Sequence, residues 1–269
     1  GPDEIVRIEE ALVAEGLDPE MIQPLCDVHV AVFREALDAQ ASPETIPGHP
    51  VFTYRAENLG VERALDRLAR AWDDLKEAPG PATFAEARTA LDRLLAYDKH
   101  YLRKENILFA YLERTGFAGP SKVMWGVHND IRDQWKVLDA WLGESYELDA
   151  LDADRVAWKV DAIFEPMAHA IREMIYKEEK ILFPAALQRL SDEEWAEIRE
   201  QGDKIGYCYA RPGTYWEPGA EATEEAETQV GILDAAPEGL ILLTTGALSV
   251  EQIDWMLQAL PIDITFVDE

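Results

Sequence analysis

Arg103-Lys104-Glu105-Asn106-Ile107-Leu108-Phe109 recurs 74 residues further on as Lys177-Glu178-Glu179-Lys180-Ile181-Leu182-Phe183. Each copy places a carboxylate inside an apolar stripe of helical spacing. Glu105 shares a face with Leu91, Asp98 and Leu112, and Glu178 lies among Ile171, Met174, Ile181, Leu182 and Ala185. An ionised carboxylate buried without a partner costs several kcal/mol, so both positions require compensation from something in the core. Glutamates and histidines directed inward from several helices are a bundle's means of holding metal.

The same 3.6-residue period extends on both sides of each copy. Tyr54, Val61, Leu65, Leu68 and Trp72 mark a helix over about 51–75, and Leu91, Leu94, Leu95, Leu102, Leu108 and Phe109 mark one over about 84–112. Met124, Ile131, Trp135, Leu138 and Leu142 mark a third over about 122–142. Met167, Ile171, Met174, Ile181 and Leu182 mark a fourth over about 155–187. This is the pattern of an all-α four-helix bundle spanning 48–200, with a further short helix over about 192–200 behind Ser191.

Residues 3–41 read as a separate helical module, with Asp18-Pro19 as a helix start. The proline-rich stretch Ser42–Pro50 divides it from the bundle. Between 201 and 228 the helical pattern fails, giving a linker or a loop wrapped on the bundle. Tyr207, Tyr209, Tyr215 and Trp216 favour wrapping. The end, 229–269, reads as a small α/β segment. Leu240–Thr244 forms a strand, Gly246 turns the chain, and Ser249 with Gln252 caps a helix to about Leu260. Ile262–Val267 forms a second strand.

Of the 269 residues, 48% are hydrophobic, which supports a real core. The net charge of −28 repels phosphate backbones and argues against nucleic-acid partners. No run approaches the ~20 apolar residues of a membrane span, and the start lacks a secretory signal, which leads to the expectation of a cytoplasmic protein. Gly1-Pro2 resembles a tag-removal scar. Cys26 and Cys208, the two cysteines, provide no disulfide framework and read as small buried hydrophobes.

The inward polar candidates are Glu57 beside Tyr54 and Val61, Glu105, His128 in register with Met124, Ile131 and Trp135, and Glu178. One reading of this set is metal; oxygen and imidazole donors without thiolate suit iron, manganese or zinc. The other is a metal-free scaffold in which Glu105 and Glu178 pair with arginines, for which Arg55, Arg103 and Arg132 are available.

These residues resemble the hemerythrin-like (HHE cation-binding) family, an all-α four-helix up-down bundle holding non-haem iron. Its block has a form like His-x-x-x-Glu-Glu-x-x-Leu-Phe-Pro. The first copy is similar from His100 through Lys104-Glu105 to Leu108-Phe109, and the second from Met174 through Glu178-Glu179 to Leu182-Phe183-Pro184. The resemblance implies His49 and His128 as the ligands of the first and third helices. Two departures stand out: Lys104 occupies the place of the family's first Glu, and Met174 that of a His. Glu105 is a substitute for the first, and His169 joins the site only if Pro166 resets the helical register. The implied metal set is therefore His49, Glu57, His100, Glu105, His128, His169 and Glu178.

The layout also resembles a bacterial subgroup in which a small helical module precedes the bundle and a PAS sensor domain follows, with 260–269 similar to the opening of that domain. The resemblance implies one or two non-haem iron ions, a small diatomic gas (oxygen or nitric oxide) as ligand, and a signal passed to the adjacent domain. A di-iron oxidase, peroxidase, nitric-oxide reductase or iron-centre repair protein is the alternative.

Overall fold

The computed structural model describes residues 47–144, 153–213, 216–218, 240–243 and 246–249. The expected helical module at 3–41, the acidic run Glu221–Glu227, the helix to about Leu260 and the strand Ile262–Val267 lie outside them.

The described chain is mostly helical. Helix α1, Pro50–Glu77, begins with proline at its first position, where the missing N–H costs nothing. His49 caps it, its Nδ1 accepting from the Val51 amide at 3.1 Å. Next come α2, Pro81–Leu95, and α3, Asp98–Arg103, then a π-helical turn π1, Lys104–Leu108, and α4, Phe109–Arg114. Helix α5 covers Gly119–Glu144. The last long segment is α6, Ala153–Lys159; π2, Val160–Phe164; α7, Glu165–Lys177; π3, Glu178–Leu182; and α8, Phe183–Arg189. Helix α9, Asp192–Ile205, opens on a capping box. The Ser191 hydroxyl accepts from the Glu194 amide at 3.3 Å, and the Glu194 carboxylate accepts from the Ser191 amide at 2.9 Å.

The apolar faces meet in one core. Helix α1 packs on α2, α6 and α7; α5 packs on α2, α4 and α7; and α9 closes one side against α1, α3 and π1. Of the expected stripes, Leu95 and Leu102 are only partly buried, while Tyr97 and Tyr101 are fully buried in the same segment. The cause is local: the α-helical run ends at Leu95 and restarts at Asp98, which rotates the tyrosines inward.

The segment after α9 returns to the bundle. Cys208, Tyr209, Ala210 and Trp216 are buried. The Tyr209 side chain lies where a Cβ on Gly60 would be, its ring 2.6 Å away, so α1 requires glycine there. Tyr209, at φ 48°, anchors this close approach by donating its hydroxyl to the Arg93 carbonyl at 2.7 Å. Near the C-terminus Leu240–Leu243 pairs antiparallel with Gly246–Ser249, Leu243 opposite Gly246. Gly246 therefore begins a second strand, where the expectation had only a turn leading to a helix.

Candidate functional site: a buried ion-pair network

Both copies of the repeated block adopt the same backbone form. Lys104–Leu108 and Glu178–Leu182 are π turns, single wide turns that recur at functional positions. In the first copy three consecutive residues are buried: Arg103 (2% exposed), Lys104 (0%) and Glu105 (5%). Each faces a different neighbour. Arg103 reaches α1 and pairs with Glu57; Lys104 reaches π3 and pairs with Glu178; Glu105 reaches α5 and pairs with Arg132.

Lys104 occupies the centre. Its ammonium donates to the Glu178 carboxylate and to His128 Nε2 at 3.0 Å, and lies 4.7 Å from the centre of the Tyr101 ring. His128 passes the chain on, its Nδ1 lying 2.7 Å from Glu105 Oε1. Accepting at Nε2 and donating at Nδ1 defines a neutral imidazole of one tautomer. Burial, and then the nearby Lys104 and Arg132 charges, hold its pKa well below the ordinary histidine value. Its ring stacks on Tyr101 at 4.0 Å.

His100 forms the second bridge, with Nδ1 3.0 Å from Glu57 Oε2 and Nε2 3.1 Å from Glu178 Oε2. Burial by itself would push the Glu178 carboxyl up. Lys104 and His100 outweigh it and hold the group at about 2. Burial pulls the Lys104 ammonium down, and Glu178 pulls against that; the two meet as an ionised pair, because the carboxylate is also fed by His100 and Asn58.

Asn58 and Tyr97 complete the set. The Asn58 amide donates to Glu178 Oε2 at 3.1 Å, and its carbonyl accepts from the Tyr97 hydroxyl at 2.7 Å. On the α5 side Arg132 grips Glu105 with two nitrogens, at 2.8 and 2.9 Å, and Asp98 with its Nε at 2.7 Å. From the segment after α9, the Cys208 amide donates to Glu57 Oε1 at 2.9 Å.

The structure therefore gathers Glu57, His100, Glu105, His128 and Glu178 into one network, and leaves two expected ligands out of it. His49 is spent on the α1 cap, its ring packed 4.8 Å from Trp195 and 4.9 Å from Trp216. Burial lowers its pKa to about 4, against a small opposing pull from Asp192. His169 is solvent-exposed on α7; the π turn before Pro166 does not rotate it inward. Met174 is buried among apolar side chains.

A metal ion does not fit this arrangement as it stands. Four carboxylates, Glu57, Asp98, Glu105 and Glu178, already face Arg103, Lys104 and Arg132, and two of them also face the His100 ring. A divalent ion would compete with Arg103, Lys104 and Arg132 for the carboxylates they already hold, and would set like charges against one another in a buried site at a cost of several kcal/mol. Among the described residues no three His, Cys, Asp or Glu side chains are grouped to hold a metal. Of the two readings of the carboxylates, pairing with protein cations describes this geometry: Glu105 with arginine, and Glu178 with lysine.

Sequence reasoning missed Asn58, Tyr97, Tyr101 and the Cys208 amide, and treated Lys104 as a defect in a ligand set. A signal for Lys104 was present. It is the residue equivalent to Glu178 in the repeated block, so a symmetric bundle brings the two face to face.

Comparison with known proteins places this geometry in context. Residues 1–39 match a family of unknown function (DUF438), which leaves the expected PAS domain at the other end of the chain without support. No curated protein matches the chain. Residues 49–186 match the hemerythrin HHE cation-binding domain, and these residues hold every helix from α1 to α7, both repeated blocks and the whole set of paired charges apart from the Cys208 amide. Fold, repeat and match agree, and this chain belongs to the hemerythrin HHE cation-binding domain family.

Proposed function

We propose that the bundle keeps the cation-holding plan of its family but supplies the cation from its own chain, as the Lys104 ammonium, and works as a metal-independent relay between the segments that enter and leave it. The family binds cations, usually iron, at the centre of a helical bundle. The observation that carries the reading is the pair Lys104–Glu178, fully buried and drawn from equivalent positions of the repeat. Where two carboxylates would bridge a metal, one has become an ammonium and bonds the other directly.

The relay rests on where the flanking segments meet the network. His49, just before α1, packs on Trp216, beyond α9, and the Cys208 amide is tied to Glu57. A change in the charge of the core is thus felt at the exit of the bundle, toward whatever domain follows.

Thermal unfolding of the purified chain tests this. With and without a strong chelator the curves should superimpose, and added ferrous iron should leave them unmoved. A stoichiometric metal whose removal lowers the transition by several degrees would sink the reading.

One observation favours a second reading. His100, His128, Glu57 and Glu178 are joined in one buried network, His128 through Lys104, and they are the donor types that non-haem iron, manganese or zinc would use. In that reading the chain is a sensor of oxygen or nitric oxide, or a di-iron enzyme. Steady consumption of oxygen, peroxide or nitric oxide by iron-loaded protein would distinguish the enzyme, and a single spectral change the sensor.

A further inference from the structure

The surroundings of Lys104 and Glu178 are organised for more than charge neutralisation. The Lys104 amine bonds Glu178 Oε1 directly and has His128 Nε2 at 3.0 Å. Glu105 orients His128 through Nδ1 at 2.7 Å, and Arg132 fixes Glu105 in turn. An amine, an imidazole that accepts from it and a carboxylate that orients the imidazole are the parts of an activated nucleophile. On the far side, Glu178 Oε2 lies 3.1 Å from the Asn58 amide and 3.1 Å from His100 Nε2. With the His100 proton at Nε2, two donors point at Oε2. Such a pair stabilises the negative charge that grows on an oxygen when its carbon is attacked.

Nothing has to enter for these groups to react with one another. Asn58, His100, Lys104, Glu105, His128 and Glu178 are all buried, and nucleophile and carboxyl already touch. Groups held in contact need no encounter, which is the largest advantage of an intramolecular reaction. A dry core also shifts the balance between an ion pair and its condensed form. The pair keeps two desolvated charges, whereas an amide carries none and releases a water to the solvent.

We propose that the folded chain closes an amide bond between Lys104 Nζ and Glu178 Cδ, slowly and without a cofactor. The freshly folded chain holds the ion pair. One ammonium proton passes to Oε1, which leaves a neutral amine beside a neutral acid. The Nζ lone pair then attacks Cδ while His128 Nε2 takes a second proton, and Oε2 carries the developing charge toward His100 and Asn58. His128 returns its proton to Oε1, the Cδ–Oε1 bond breaks, and Oε1 departs as water. One ammonium and one carboxylate become one amide and one water, with no oxidant or reductant. Asn58, His100 and His128 touch the reacting atoms; Glu105 positions His128. The bond ties π1 to π3, residues 74 apart in the chain, and so restrains the unfolded state. This inference rests on the metal-free pairing proposed above.

Intact-mass spectrometry of the purified chain during prolonged incubation in neutral buffer, followed by peptide mapping, tests it. The expected result is loss of the mass of one water, with a branched peptide that joins the segment around Lys104 to the segment around Glu178. His128→Gln keeps an acceptor beside Lys104 but no base, and Asn58→Leu removes one donor from Oε2. Each should slow the loss by roughly a hundredfold. The wild-type result stands whether or not these variants fold. A chain that keeps its full mass overturns the inference; so does a lost water mapped to another site, such as an aspartate cyclised onto its own backbone, or an unchanged rate in both variants. Elemental analysis of the same sample separates this inference from the reading beneath it. Full mass without metal overturns the cross-link alone, and full mass with stoichiometric metal overturns the metal-free pairing as well.

Discussion

The two copies of the repeated block share a backbone and differ in chemistry. Both run into the core as π turns, and both bury their first two residues: Arg103 and Lys104 in one, Lys177 and Glu178 in the other. The third residue diverges, since Glu105 is buried against Arg132 while Glu179 is only partly covered. Lys104 and Glu178 therefore arrive at the same level from opposite sides with opposite charges. A repeat conserves the direction in which a side chain points. What stands at the end of it is decided one residue at a time, and a single exchange of carboxylate for ammonium turns two ligands into an ion pair.

The comparison breaks most visibly when one partner is removed. Lys104→Met leaves Glu178 buried with its main counter-charge gone and should cost roughly 3–5 kcal/mol in urea unfolding. Glu178→Ala should cost about as much, since it strands Lys104 and also releases His100 and Asn58. The double variant Lys104→Met with Glu178→Leu should recover most of the loss, because a well-packed apolar pair replaces a buried ion pair at little cost. Additive losses in the double variant would mean that the two residues are not coupled.

A smaller effect is expected at the edge of the network. Arg132→Met removes the clamp on Glu105 and Asp98 and should destabilise by about 2–3 kcal/mol, less than the central pair because Arg132 is partly solvated. Amide exchange at Cys208 sharpens the relay claim: Glu57→Gln should speed it with little change in α9.

How far all this could be read from residues alone differs between fold and site. Helices expected over about 51–75, 122–142 and 155–187 are found at Pro50–Glu77, Gly119–Glu144 and, with two π turns, Ala153–Arg189, because their apolar periodicity is strong and the first two carry a proline in their first turn. Inward placement of Glu57, Glu105, His128 and Glu178 was legible for the same reason. What filled the space between them was not. Periodicity tells which way a residue points but not whether the facing helix offers a cation, and the π turns that let Arg103, Lys104 and Glu105 all enter the core have no periodic signature. His49 stands outside the network because its Nδ1 caps α1, a role His-Pro before a helix serves as readily as a metal.

The titration of His49 makes that point measurable. The folded chain refuses the proton down to about pH 4, while an unfolded histidine accepts it near 6.5. Stability from this group is therefore complete above pH 6.5 and is lost as pH falls toward 4, by at most roughly 3 kcal/mol. His49→Ser keeps a cap and removes the titration, so the difference between the two stability profiles should shrink across that window. The smallest effect belongs to His169→Ala, on the exposed face of α7, which should stay within about 0.5 kcal/mol of wild type.

One measurement bears on the central claim most directly: metal content, by elemental analysis, of the wild type and of Lys104→Glu, both purified from iron-supplemented cells without chelator. The wild type should hold fewer than about one ion per ten chains, and Lys104→Glu, which restores facing carboxylates and removes the resident ammonium, about one ion per chain. A wild type that retains stoichiometric metal with Lys104 in place would contradict the account.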